Sequence, residues 1–221
     1  MIHFIYYLCI SFLEVVLYKR IAISLTKSFI KKNILDEEKR EICTYGFEMI
    51  IANLTYLLIF VATAAITKTI FVSLFFWLGL FLIRKVAGGH HSNSYFSCHC
   101  LSMINHILFI VSIKFIPMNV FHYCSYSIFI VAIFSLLLFA PVDHKNKPFI
   151  KTEFARFRKY SLIYSFILTI VTLLYYLGHS FENIPFNVDS FIFSYSFGTL
   201  SATVSLLSAK IIRYKERKCL K

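Results

Sequence analysis

Glycine and proline are scarce in this 221-residue chain, at six and four, and only 15% of its residues are charged. With 25 Phe and 14 Tyr beside so few turn-formers, a disordered or collagen-like chain is excluded. Soluble domains carry about a quarter charged residues, so this charge content also argues against one. Some stretches have no charge at all. Ile50–Ile66 and Tyr123–Ala140 are two of them, each long enough to cross most of a bilayer. A disulfide framework is missing too: Cys9, Cys43, Cys98, Cys100, Cys124 and Cys219 are scattered over separate segments, unlike the dense cysteines of a small secreted scaffold. The first eighteen residues are apolar but have no basic leader or small-residue cleavage signal, and they carry Glu14. A removable signal peptide is therefore not expected. What abounds is apolar surface, with 58% hydrophobic and 18% aromatic residues. The composition is that of an all-α, polytopic integral membrane protein.

Six apolar stretches stand out, roughly Phe47–Thr67, Thr69–Ile83, Leu101–Pro117, Tyr123–Pro141, Ser161–Gly178 and Phe191–Ala209. In lipid each must be a helix, because a lone strand would leave its backbone groups unpaired. The second is short. Its fifteen residues rise about 22 Å against a hydrocarbon core near 30 Å, so Arg84 and Lys85 are expected to snorkel toward the headgroups. Of the 23 Lys and Arg, 21 lie before the first stretch, between the second and third, between the fourth and fifth, or after the sixth. Only Lys68 and Lys114 fall elsewhere. The positive-inside rule then puts both termini in the cytoplasm. The net charge of +12 follows from this topology and from attraction to anionic membrane lipid. No basic stripe sits on a soluble module, so nucleic acid is not a predicted partner.

Ahead of the first span, Leu17, Ile21, Leu25 and Phe29 recur every fourth residue, with Arg20, Ser24, Lys27 and Lys31 opposite. This predicts an N-terminal amphipathic helix lying in the interface. Asn33-Ile34-Leu35 breaks it, and Asp36 is positioned as the N-cap of a helix running on into the first span. Residues 1–35 thus form an interfacial region and residues 36–221 a six-helix transmembrane domain. Residues 1–16 suit either an interfacial or a shallow inserted segment.

Chemistry concentrates between the second and third spans. The segment from Arg84 to Cys100 holds Gly88-Gly89, His90, His91, Cys98, His99 and Cys100. Thiols in the cytosol stay reduced and are free to act as nucleophiles or ligands. A cysteine in the first turn of a helix meets the positive end of the dipole, and a nearby imidazole adds to the effect, so that the reactive thiolate is favoured. The paired glycines let the backbone turn sharply and approach a substrate closely, as an oxyanion hole requires. From the residues alone three readings stand: a Cys–His nucleophile, a metal site, or a polar loop that caps helices and meets headgroups. Against zinc, the spacing fits neither CxxC nor HExxH, although His90, His99 and Cys100 suit an incidental site.

Arg84, then Gly88-Gly89, then His91, with Cys98 seven residues later, resembles the signature of the accessory gene regulator B (AgrB) family, membrane cysteine endopeptidases of bacterial quorum sensing. Two further stretches agree. Tyr45-Gly46-Phe47-Glu48 resembles the family's Tyr-Gly-hydrophobic-Glu, and the segment from Pro141 to Pro148 resembles its Pro-x-Asp…Asn-Lys-Pro loop. His90 stands where many members carry an aromatic residue, and the seven-residue spacing selects His91. The resemblance covers roughly Leu35–Pro148; later spans agree only in hydropathy.

The resemblance implies Cys98 as nucleophile and His91 as general base, with oxyanion donors near Gly88 and Gly89. Arg84, Glu48, Asp143, Lys145 and Lys147 become substrate-binding or supporting residues, with Glu48 paired to Arg84 in one expectation. Asp143, Asn105 and Glu48 compete for the place of a third catalytic member. No metal or nucleotide cofactor is implied. The expected substrate is a short amphipathic propeptide (AgrD-like), cleaved at the cytoplasmic face of a bacterial plasma membrane and cyclised to a thiolactone or lactone; a homodimer is implied as well. Two other classes compete. A small transporter or exporter calls for ionisable residues deep in the spans, where almost every position is apolar. A metal-binding membrane protein would use the His/Cys loop.

Overall fold

A computed structural model describes the backbone of residues 2–88, 95–142, 149–180 and 186–219; side-chain burial is described from residue 17 onward, except at 95–97, 179–180, 186–187, 215–217 and 219 within those segments. Seven α-helices account for nearly all of it: α1 Ile2–Lys31, α2 Arg40–Ile66, α3 Ile70–Ala87, α4 Tyr95–Phe115, α5 Phe121–Phe139, α6 Lys151–Ser180 and α7 Phe186–Cys219. Single 3-10 turns at Glu37–Lys39 and Met118–Val120 lead into α2 and α5. No strand forms among the described residues. Among the described residues, six helices are long and apolar enough to cross a membrane: Glu37–Ile66, Ile70–Ala87, Cys98–Phe115, Met118–Phe139, Lys151–Gly178 and Val188–Tyr214. The predicted count of six spans is correct. The second span is longer than predicted, however. Its helix runs 18 residues to Ala87, with Arg84 and Lys85 in the last turn, and rises about 27 Å.

The chain falls into two compact units. In the first, Met1–Ile66 with Ser92–Ile104, α1 lies on α2. Helix α1 ends where the sequence breaks: Asn33 takes a left-handed conformation (φ 57°), and Ile34 N–H donates to the Phe29 carbonyl at 3.1 Å, a Schellman-type stop. Asp36 stands at the N-cap of the next turn without a side-chain cap bond. Its carboxylate instead accepts from Lys39 Nζ at 3.1 Å. The α1 face turned to α2 is small and partly polar. Tyr18, Ala22 and Thr26 are buried, Thr44 Oγ1 donates to Thr26 Oγ1 at 3.1 Å, and the Phe29 and Phe47 rings meet at 5.4 Å. The Leu17–Ile21–Leu25 stripe remains exposed, available to lipid.

The second unit, Thr67–His91 with Asn105–Lys221, gathers α3, α5, α6, α7 and the C-terminal part of α4. Helix α7 is its centre, packed on α3 and α5. Two glycines allow the closest approach. A Cβ at Gly79 would lie 2.2 Å from the Tyr195 carbonyl oxygen, and one at Gly198 would lie 1.9 Å from that of Phe76. Small residues at crossings are how membrane helices gain contact, since lipid is as apolar as leucine. Helix α5 also buries small residues. There Ser125, Ala132 and Ser135 share the buried face with Phe121, Phe129 and Leu136, while Phe134 and Leu138 face outward. His106 of α4 is fully buried, and its Nε2 lies 2.9 Å from Ser73 Oγ on α3. Its ring stacks on Phe76 at 5.7 Å. This mid-span histidine is an interhelical hydrogen-bond partner.

Candidate active site

Helix α3 ends at Gly88, whose N–H donates to the Arg84 carbonyl at 3.2 Å. There φ is 76° and ψ −158°, a region open essentially to glycine alone. Gly88 then bridges in parallel to Val142, with Val142 N–H donating to the Ala87 carbonyl at 3.0 Å. The approach is close: a Cβ on Gly88 would sit 2.5 Å from the Val142 oxygen. Two stretches 54 positions apart, Gly88 and Val142, are thus one turn in space. Beneath it lies a buried cluster that includes Ile83, Ala87, Leu136, Ala140, Val142 and Leu206.

Two groups missed in the sequence hold this turn. Arg158, counted there only among the positive-inside charges, donates to the Leu136 carbonyl at 3.3 Å, to that of Leu137 at 2.7 Å, and to that of Ala140. Its guanidinium therefore satisfies the open carbonyls at the end of α5, where a cation is also favoured by the helix dipole. Ser161 Oγ reaches both the Val86 and Phe157 carbonyls at 2.9 Å, joining α6 to α3. No local pattern marks these contacts, because their partners lie far away in sequence.

Cys98 is half-buried and falls in the first turn of α4, three residues after the helix begins at Tyr95. Its carbonyl accepts from Ser102 Oγ at 3.0 Å. The next residue, His99, stacks on Tyr56 of α2, with ring centres 5.1 Å apart and planes 18° from parallel. This contact was not anticipated. Cys100 is half-buried as well. Glu48 is half-buried on α2, with Tyr45 exposed one turn earlier. Arg84 is half-buried in the last turn of α3. Gly89, His91, Asp143, Lys145 and Lys147 lie outside the described residues. Among the described residues, no three of His, Cys, Asp and Glu come together as metal ligands would.

A family model described as accessory gene regulator B matches residues 18–207. The chain belongs to the accessory gene regulator B family. That match takes in α2 through most of α7, well past the Leu35–Pro148 region where the sequence motifs lie. A putative AgrB-like protein 2 of Clostridium perfringens (strain 13 / Type A) is 34% identical over 152 residues, covering 64% of this chain and 71% of the relative. The accessory gene regulator protein B of Staphylococcus epidermidis is 30% identical over 118 residues, 53% of this chain and 60% of the relative. That of Staphylococcus aureus (strain MW2) is 28% identical over 148 residues, 65% and 75% respectively. No solved structure matches. For an accessory gene regulator B protein the geometry now has a frame: the Gly88 turn and the Val142 segment are one object, and Cys98 opens the next helix.

Proposed function

We propose that this chain is a membrane-embedded cysteine endopeptidase that processes a short amphipathic, AgrD-like propeptide into a cyclic quorum-sensing peptide. Family membership supports this reading, together with the Arg84, Gly88-Gly89, His91, Cys98 pattern. The single observation that carries it is a half-buried thiol in the first turn of α4, seven residues after His91. A helix N-terminus favours an anion, and a loop-to-helix junction leaves a side chain reachable by a peptide.

The steps balance without an added reactant. His91 takes the proton from Cys98 Sγ, and the sulfur attacks a peptide carbonyl near the propeptide's C-terminal side. Donors near the Gly88-Gly89 turn, other than the Gly88 N–H that bonds the Arg84 carbonyl, hold the oxyanion. The C–N bond breaks, the departing amine takes the proton from His91, and an acyl thioester remains on Cys98. A thiol or hydroxyl within the peptide then gives its proton to His91 and attacks the thioester. The ring closes as thiolactone or lactone, and Cys98 leaves as thiolate and is reprotonated. Exchange of one thioester for another is nearly isoenergetic, so excluding water decides whether the product is cyclic or linear. Arg84, Glu48, Asp143, Lys145 and Lys147 are assigned to substrate contact or support, with Glu48 and Arg84 as a pair. The reaction is placed on the cytoplasmic side of the plasma membrane, with the enzyme as a homodimer.

The test is co-expression with the cognate propeptide and mass spectrometry of both partners. We expect wild type to release a C-terminal fragment and a trapped adduct to map to Cys98, while Cys98→Ser and His91→Ala release none. Cleavage that persists in Cys98→Ser overturns the assignment.

A further inference from the structure

At the end of the second unit that carries the Gly88 turn, a cavity of about 550 Å³ opens between the start of α6 and the last turns of α7. Its apolar side is Pro141, Val142 and Phe154; its charged side is Lys151, Lys210 and Arg213. Lys210 and Arg213 stand at i and i+3, on one face of α7. No carboxylate is among the described residues that line it. Its depth in the bilayer follows from the spans: Lys151 is the first residue of the fifth and Tyr214 the last of the sixth. That is headgroup level, where Lys and Arg extend into the polar layer over apolar stems and tyrosine marks the interface.

We propose that this cavity is a binding site for one anionic phospholipid. The cations converge on its phosphate and the first acyl carbons lie along Phe154, which is 47% exposed. Basic pockets between transmembrane helices recognise anionic lipid headgroups by this combination of charge and apolar wall. A soluble anion would use the charges and leave the apolar side wet. The lipid also touches the turn already described. Val142 is both a wall of the cavity and the residue whose N–H bonds to Ala87, so an occupant braces the segment that pins Gly88. The proposal stands whether or not the peptidase reading holds.

Native mass spectrometry of the full chain released from phosphatidylglycerol-containing nanodiscs tests this. One phosphatidylglycerol should stay bound per chain, and Lys210→Gln with Arg213→Gln should weaken it about thirtyfold, from about one charge–headgroup interaction per residue. Lys85→Gln, a basic residue on α3 that does not line the cavity, should leave retention unchanged. Both substituted side chains sit near a helix end, and an unchanged thermal midpoint verifies folding. Equal retention of phosphatidylcholine, or undiminished binding in the double variant, overturns the proposal. So does displacement of the lipid by inorganic phosphate, which would make the cavity a site for the free anion.

Discussion

Gly88→Ala is the sharpest probe of the turn on which the candidate site depends. The new Cβ would meet the Val142 carbonyl oxygen at 2.5 Å, whereas ordinary contact begins at 3.4 Å, so 0.9 Å must be found. Two responses are open. If the bridge holds, alanine sits at φ 76° and ψ −158°, a strain of about 1–3 kcal/mol, with the overlap added. If the bridge opens, the Val142 N–H to Ala87 bond is lost, about 1 kcal/mol, and buried Val142 leaves its cluster, about 1.5–3 kcal/mol more. Both routes come to roughly 3 kcal/mol, focused on the residues that precede His91 and Cys98. The assay is propeptide processing in membranes beside thermal unfolding of the solubilised protein. We expect processing to fall at least tenfold and the unfolding midpoint to drop. Gly46→Ala is the built-in comparison: nothing lies within 4 Å of a Cβ there, and alanine in a helix interior gains about 0.5–1 kcal/mol over glycine. Wild-type processing and an unchanged midpoint in Gly88→Ala refute the argument.

Two other substitutions read the frame around the turn. Gly198→Leu puts a side chain where even a Cβ would lie 1.9 Å from the Phe76 carbonyl; α3 and α7 must separate, and we expect a loss of about 3 kcal/mol or more, seen as a lower unfolding midpoint and poor membrane accumulation. Arg158→Gln strips donors from the carbonyls at the end of α5; a loss of about 1–3 kcal/mol is expected, whereas Arg156→Gln on the exposed side of α6 should stay within about 0.5 kcal/mol, both read by denaturation in detergent.

The six spans were legible because lipid imposes one overriding rule: backbone groups must be paired within the segment, so long apolar runs become helices. Ends were less legible. Helix α3 carries Arg84 and Lys85 in its last turn, and charges that mark a loop by hydropathy are tolerated at a helix end because their stems bend toward water. Packing faces were hardest. Of the predicted stripe, Leu17, Ile21 and Leu25 stay exposed and only Phe29 meets α2, at Phe47, while Tyr18, Ala22 and Thr26 are the buried residues of α1. Where lipid competes as an apolar partner, hydrophobicity alone does not identify the buried side, and small residues that allow backbones to approach help to mark it. At the candidate site, a helix start near Cys98 was readable, since the polar segment gives way there to the apolar run from Leu101. The stacking of His99 on Tyr56 was not, since it joins residues 43 positions apart.

The bridge between Gly88 and Val142 brings together one end of each of two separate sequence motifs. Read as sequence, the Arg-Gly-Gly-His…Cys stretch and the Pro141–Pro148 loop are unrelated neighbours of different spans. In the fold, Val142 N–H fills the open carbonyl of Ala87 at the end of α3, Arg158 fills those at the end of α5, and Ser161 reaches across to Val86. Each helix end near the membrane face needs partners for its last carbonyls, and here they come from elements distant in sequence. Glycine at 88 is what permits so near an approach. A substitution at Val142 or Arg158 therefore acts on the Gly88 turn, so on the proposed reading loss of processing there would report positioning, and loss at Cys98 would report chemistry.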